Sequence, residues 1–179
     1  MGQSFRAEVQ KAAGGECPVA AACGILALPP MRLRMVWFGK PAPRTLEPAL
    51  GDYQGRLERQ CRFEGVELPE SKGCEALARE RDLALEKLDG FQILSLCVEG
   101  KPWTTEQWAR ELESWRREGT NVGLVIGSAD GLHPDLVKKA RWKVSLGPVT
   151  LPHTLARVIL LEQLYRAHTI LLGLPYHRA

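Results

Sequence analysis

No G-x-G-x-x-G follows the first strand-like stretch of this 179-residue chain, and G-x-x-x-x-G-K-[ST] occurs nowhere in it. Without those backbone phosphate cradles, neither a Rossmann dinucleotide site nor a P-loop is signalled. No serine or cysteine stands in a G-x-S-x-G turn, which removes the nucleophile elbow of the α/β hydrolases. The five cysteines (Cys17, Cys23, Cys61, Cys74, Cys97) are an odd number without C-x-x-C spacing. They signal neither a disulfide framework nor a zinc site, and they fit a reduced, cytoplasmic compartment. His153 and His177 have no carboxylate or thiol partner at ligand spacing, so no metal is expected. No apolar run approaches the roughly 18 residues of a membrane span. Long runs of one charge are missing too: 24 basic residues face 21 acidic ones, a net charge of +3. That balance tolerates a polyanionic partner without demanding one.

What is present is the composition of an ordinary globular domain, 45% hydrophobic and 25% charged. Residues 1–30 stand apart. Val19 to Leu28 is apolar, but Glu8 and Glu16 beside Arg6 and Lys11 do not make the positive leader of a signal peptide. Gly2 is followed at position six by Arg6, where a myristoylation signal wants Ser or Thr. The organised pattern begins at Met31, so residues 1–30 read as a dispensable extension, or else Met31 is the native start. Residues 31–179 read as a single domain.

Within that domain, Arg32–Phe38 reads as a strand, stopped by Gly39 and the prolines at 41 and 43. Helical spacing of Leu46, Leu50, Tyr53 and Leu57 runs through 45–60, weakened by Gly51 and Gly55. A short strand at 63–68 and an amphipathic helix at 74–88 follow. Phe91–Val98 is almost continuously apolar, as a central strand covered on both faces should be. Thr104 and Gln107 stand at capping-box spacing for a helix over 105–118. A buried strand at 121–126 ends in Gly127-Ser128-Ala129-Asp130-Gly131. His133-Pro134 opens a short helix, 143–146 is a last short strand, and an apolar helix covers about 154–169. Strands and helices alternate five times, which specifies an α/β fold with a mainly parallel sheet.

In such sheets ligands bind beyond the carboxyl ends of the strands. Three loops meet that condition: after Val98, after Ile126, and Gly147–Pro152. On them Leu96, Gly127, Ser128, Gly147, Pro148, Val149, Thr150, Leu151 and Pro152 are the candidate ligand-binding residues. Taken alone, IGSADG is also readable as a plain turn. The chain closes on GLPYHRA, whose proline and aromatic stiffen a tail that would ordinarily fray. Tyr176, His177 and Arg178 there, with Arg166 and His153, are the candidate catalytic groups.

IGSADGL, VTLPHTLARVILLEQLYRAHTI and LPYHRA, together with GKPW, resemble the RlmH-type methyltransferases from about Met31 to Ala179. These methylate N3 of a pseudouridine in 23S ribosomal RNA and belong to the SPOUT class. The resemblance implies a C-terminal trefoil knot, S-adenosylmethionine as the methyl donor and no metal. It further implies a homodimer with the site near the interface, and a large-subunit rRNA substrate within the ribosome. Two positions depart from the family pattern: Ser128 replaces the second of a glycine pair, and Cys97 replaces an acid. The chemistry suits the residues, because transfer from a sulfonium mainly requires two partners held in line. Amides and carbonyls freed by the glycine and prolines of GPVTLPH can bond an adenine edge, with Leu96, Val149 and Leu151 walling the ring. Histidine is the default group for taking the N3 proton near neutrality. The rival function is a non-enzymatic RNA- or ribosome-binding module with a decayed donor pocket.

Plainer roles compete at several residues. His153 also reads as a cap for the last helix, and His168 as a surface or interface residue. Glu162 and Arg166, four apart, are a helical ion pair. Lys138, Lys139, Arg141 and Lys143 around Trp142 can touch RNA phosphates or form a solvated helix end over a packed tryptophan. Arg157 and Arg166 extend a phosphate track toward the tail. The final helix is apolar on two sides, Leu155 and Ile159 opposite Leu160 and Leu164, which calls for a second subunit.

Overall fold

The computed structural model describes residues 31–39 and 41–177, so the expectations for residues 1–30 and for Arg178 lie outside the described residues. Strands and helices alternate as read: β1 (Arg32–Phe38), α1 (Glu47–Glu58), β2 (Arg62–Leu68), α2 (Ala76–Lys87), β3 (Gln92–Pro102), α3 (Thr105–Glu118), β4 (Val122–Ile126), α4 (Pro134–Lys139), β5 (Trp142–Ser145) and α5 (His153–Leu171). All strand pairs are parallel, in the order β2-β1-β4-β3-β5.

Alternation along β1 explains the layering. Leu33, Met35 and Trp37 point into a core shared with α1, α3 and α5, while Val36 and Phe38 point into a second core with α2 and α4. A sheet clothed on both faces has no polar side to spare, and each buried large side chain contributes about 1.5–3 kcal/mol. Helix α3 shows how local and tertiary signals agree. Its capping box is formed, with Thr104 accepting from the Gln107 amide at 3.2 Å and Gln107 accepting from the Thr104 amide at 2.8 Å. Trp108, Leu112 and Trp115 make one buried stripe, and Gly119 ends the helix in the left-handed conformation. Helix α1 survives Gly51 and Gly55 because Leu50 and Leu57 are buried in the first core.

Two elements differ from their reading. Strand β3 continues to Pro102 because residues 97–100 loop out: Leu96 and Lys101 both face Val144, after which Pro102 pairs with Ser145. Gly100 makes this possible by lying on the backbone of Val144, where a Cβ would come within 2.5 Å. Helix α5, which follows edge strand β5, comes back to pack on α1, α3 and β4. Ala156, Leu160, Leu161, Leu164 and Ala167 are buried by those neighbours. Much of its two-sided apolarity is therefore satisfied inside one chain, and Leu155, Val158 and Ile159 remain half-covered.

Candidate active site

Register places the expected loops side by side. Leu96 faces Ile126 on one side and Val144 on the other, so the chain leaves three adjacent strands at one end of the sheet. After β4, Gly131 donates from its amide to the Ser128 carbonyl at 3.0 Å, and these residues form an isolated bridge. Gly127 abuts that turn so closely that a Cβ would come within 2.4 Å of the Gly131 carbonyl. Gly127 is thus required by the turn itself, and added bulk there would distort the loop rather than merely fill ligand space. The Ser128 hydroxyl donates to Glu80 at 2.9 Å. After β5, the Ser145 hydroxyl donates to the Gly147 carbonyl at 2.9 Å and accepts from the Gly147 amide at 3.2 Å. Gly147 itself has φ of +117° with open space where a Cβ would stand. The following 148–152 segment carries Val149 exposed.

A cavity of about 230 Å³ opens beside this end, lined by Pro102, Trp103, Trp108, Gly147, Ile159 and Gln163 among others. Of the residues expected to hold a ligand, Gly147 is among its lining, and Leu96, Gly127, Ser128 and 148–152 are not. Trp103 meets Trp108 edge-on with centroids 4.7 Å apart, which makes the cavity wall aromatic as well as apolar.

The tail is ordered by its own hydrogen bonds. Gly173, at φ +63°, reverses the chain, while the Leu174 amide returns to the Thr169 carbonyl at 2.9 Å. This brings Tyr176 back onto α5. Its hydroxyl donates to Glu162 at 3.2 Å and sits 3.2 Å from the Tyr53 hydroxyl of α1. Arg166 grips the same Glu162 oxygen at 2.9 Å through Nε, and its guanidinium lies 5.0 Å from the Tyr176 ring. Tyr165 meets that ring edge-on at 4.8 Å. Burial, and then the Tyr53 hydrogen bond, push the Tyr176 hydroxyl well above its ordinary range. It stays protonated near neutrality and serves as a donor, not a base. His177 reaches the start of α3, with Nε2 3.9 Å from Glu106 and Nδ1 buried without a partner. Tyr53 is the member of this cluster that the sequence did not reveal. It lies 123 residues from Tyr176, and no local spacing announces that contact.

Other expectations resolve as follows. His153 is the first residue of α5 but makes no capping bond; the cap position is Pro152. Its imidazole instead lies over Gly39 at the end of β1, where a Cβ would come within 2.9 Å of Nε2. His168 is not on the surface: it is 1% exposed, with neither ring nitrogen partnered. Burial, aided by Arg116, lowers its pKa to about 3. Arg157 is likewise no part of an open track. It is 6% exposed and stacked 3.7 Å over the Trp37 ring, with Nε and Nη1 unpaired. His133 caps α4 by accepting from the Asp135 amide at 3.1 Å. Trp142 packs 5.1 Å from Trp115, and the Arg141 guanidinium lies 4.9 Å from its ring. Among the described residues, no group of His, Cys, Asp or Glu could hold a metal. No described helix is long and apolar enough to cross a membrane.

The fold is of the α/β class, an all-parallel sheet with a loop cluster at one end and a hydrogen-bonded C-terminal tail. The model of the family described as "Predicted SPOUT methyltransferase" matches residues 31–177, and the chain belongs to that family. Within it, the chain is 41% identical over 155 residues to the Ribosomal RNA large subunit methyltransferase H of Ectopseudomonas mendocina (strain ymp), covering 83% of this chain and all of that protein. It is 39% identical, with the same coverage, to the protein of that name from Pseudomonas paraeruginosa. Solved structures show the same fold at low identity. A probable methylase family protein from Haemophilus influenzae Rd KW20 superposes with TM-score 0.53 at 11% identity, over 83% of this chain and 71% of that one. A probable methyltransferase from Bordetella pertussis Tohama I does so with TM-score 0.51 at 16% identity, over 77% and 96%.

Proposed function

We propose that this protein methylates N3 of a pseudouridine in large-subunit ribosomal RNA, with S-adenosylmethionine as the donor. The observation that carries this reading is identity near 40% across the full length of relatives named for rRNA methylation. The loop cluster fits the donor. It offers backbone at Gly147, with open space where a Cβ would stand. Leu96, Gly127, Ser128 and Gly147–Pro152 would hold the donor. When bound, it supplies an electrophilic methyl group.

The residues of the chain then have to hold the base in line and relieve N3 of its proton. His177 is the group for the proton, because it is the histidine of the tail and its Nε2 faces Glu106, which can balance the imidazolium. Tyr176 locks the tail to α5 through Glu162 and so holds its neighbours His177 and Arg178 for contact with RNA. Arg166 and Arg178 supply cations for phosphate, Arg166 being already oriented by Glu162. His153, at the end of β1, serves the opposite rim of the site. The protein acts as a homodimer, joined through the half-covered stripe of Leu155 and Ile159 and the exposed Val149. The return of α5 from the sheet edge fits the trefoil knot of the class.

Radiolabelled S-adenosylmethionine incubated with the protein and large-subunit rRNA, free or within ribosomes, tests the reading. Label in a single pseudouridine is the expected result. Tight RNA binding without donor binding by calorimetry would favour the non-enzymatic module.

A further inference from the structure

Glu80 on α2 is 3% exposed, and the chemistry above leaves it without a role. Each of its oxygens takes one donor, the Ser71 amide on Oε1 and the Ser128 hydroxyl on Oε2, both at 2.9 Å. Glu80 joins none of the ion pairs among the described residues. A buried carboxylate held by neutral donors alone is a costly way to gain stability. What it gains is geometry. It ties three segments together: α2, the connection before it at Ser71, and the loop after β4 at Ser128.

That loop is closed on itself by the Ser128–Gly131 hydrogen bond and the tight Gly127–Gly131 approach, and Leu132 packs its far end on the second core. At Ser128, Glu80 is the polar tie that joins it to α2. We infer that Glu80 is a positioning residue for the methyl donor, holding through Ser128 the β4 loop in the shape that binds S-adenosylmethionine. The inference rests on the donor site proposed above. It also gives Ser128 a purpose: its hydroxyl supplies a bond to Glu80 that no glycine side chain could make.

The test is calorimetry of S-adenosylmethionine and of the demethylated product, S-adenosylhomocysteine, on wild type, Ser128→Ala, Ser128→Thr, Glu80→Ala and the double alanine variant. Ser128→Ala should raise both dissociation constants roughly tenfold, the cost of one hydrogen bond to a charged group. Ser128→Thr, which keeps the hydroxyl, should restore binding. The double variant should be no weaker than Glu80→Ala, because the two residues act as one device. The KM for RNA should not move. If Glu80→Ala does not fold, the Ser128→Ala and Ser128→Thr pair decides alone. Unchanged affinity in Ser128→Ala, failure of threonine to rescue, or losses that multiply in the double variant would overturn the inference. So would a loss confined to S-adenosylmethionine, since that would mean charge on the sulfonium and not loop shape. If the wild type binds neither compound, the donor site itself falls and this inference with it.

Discussion

Acidification should unfold this protein through His168. Its imidazole is 1% exposed, unpartnered at both nitrogens, and lowered by burial and Arg116 to a pKa of about 3. In the unfolded chain the same group titrates near 6.5. Between those values the unfolded state binds the extra proton, so stability is full above about pH 6.5 and falls as pH drops toward about 3. The whole window corresponds to about 5 kcal/mol, and about 2 kcal/mol of it is lost by pH 5. Urea unfolding at about pH 8 and about pH 5 measures the difference, with His168→Leu as the comparison. Carboxylates titrate in both proteins, so the change of slope between them isolates the histidine. The variant should lose about 2 kcal/mol less than the wild type over that interval. Equal losses would refute the reasoning and would mean that the imidazole finds a partner or water.

Deleting residues 176–179 should abolish methyl transfer while calorimetry shows donor affinity within a few-fold of wild type, and His177→Ala alone should slow single-turnover transfer by ~10²-fold. Loss of donor affinity with RNA binding intact would instead assign the tail to the donor pocket. Gly127→Ala should cost about 1–3 kcal/mol in urea unfolding and weaken donor binding, because the new methyl meets the Gly131 backbone at 2.4 Å. Sedimentation at low micromolar concentration should give twice the 19.9 kDa chain mass, and Ile159→Asp should give a monomer with depleted activity.

Local signals carried most of the fold into the sequence. The Thr104–Gln107 box and the proline after His133 each act within one turn of helix, and each appears in the structure as read. The end of β3 was hidden because looping out 97–100 depends on how closely Gly100 approaches Val144 in another strand. The partition of α5 was hidden for a related reason. Periodicity reveals two apolar sides but not that α1 and α3 of the same chain cover most of them. The candidate site divides along the same line. Loops at the carboxyl ends of the strands follow from the alternation of strand and helix, and the Glu162–Arg166 pair from its spacing of four. Tyr53 with Tyr176 and Glu80 with Ser128 join residues 123 and 48 positions apart. His168 and Arg157, polar letters on an apolar helix, gave no sign of being buried.

The most direct test is mass spectrometry of large-subunit rRNA from cells lacking this gene. One pseudouridine should be lighter by a single methyl group and should regain it when the protein is restored, but not when a variant lacking residues 176–179 is supplied. An rRNA modification pattern identical with and without the gene would contradict the proposed function.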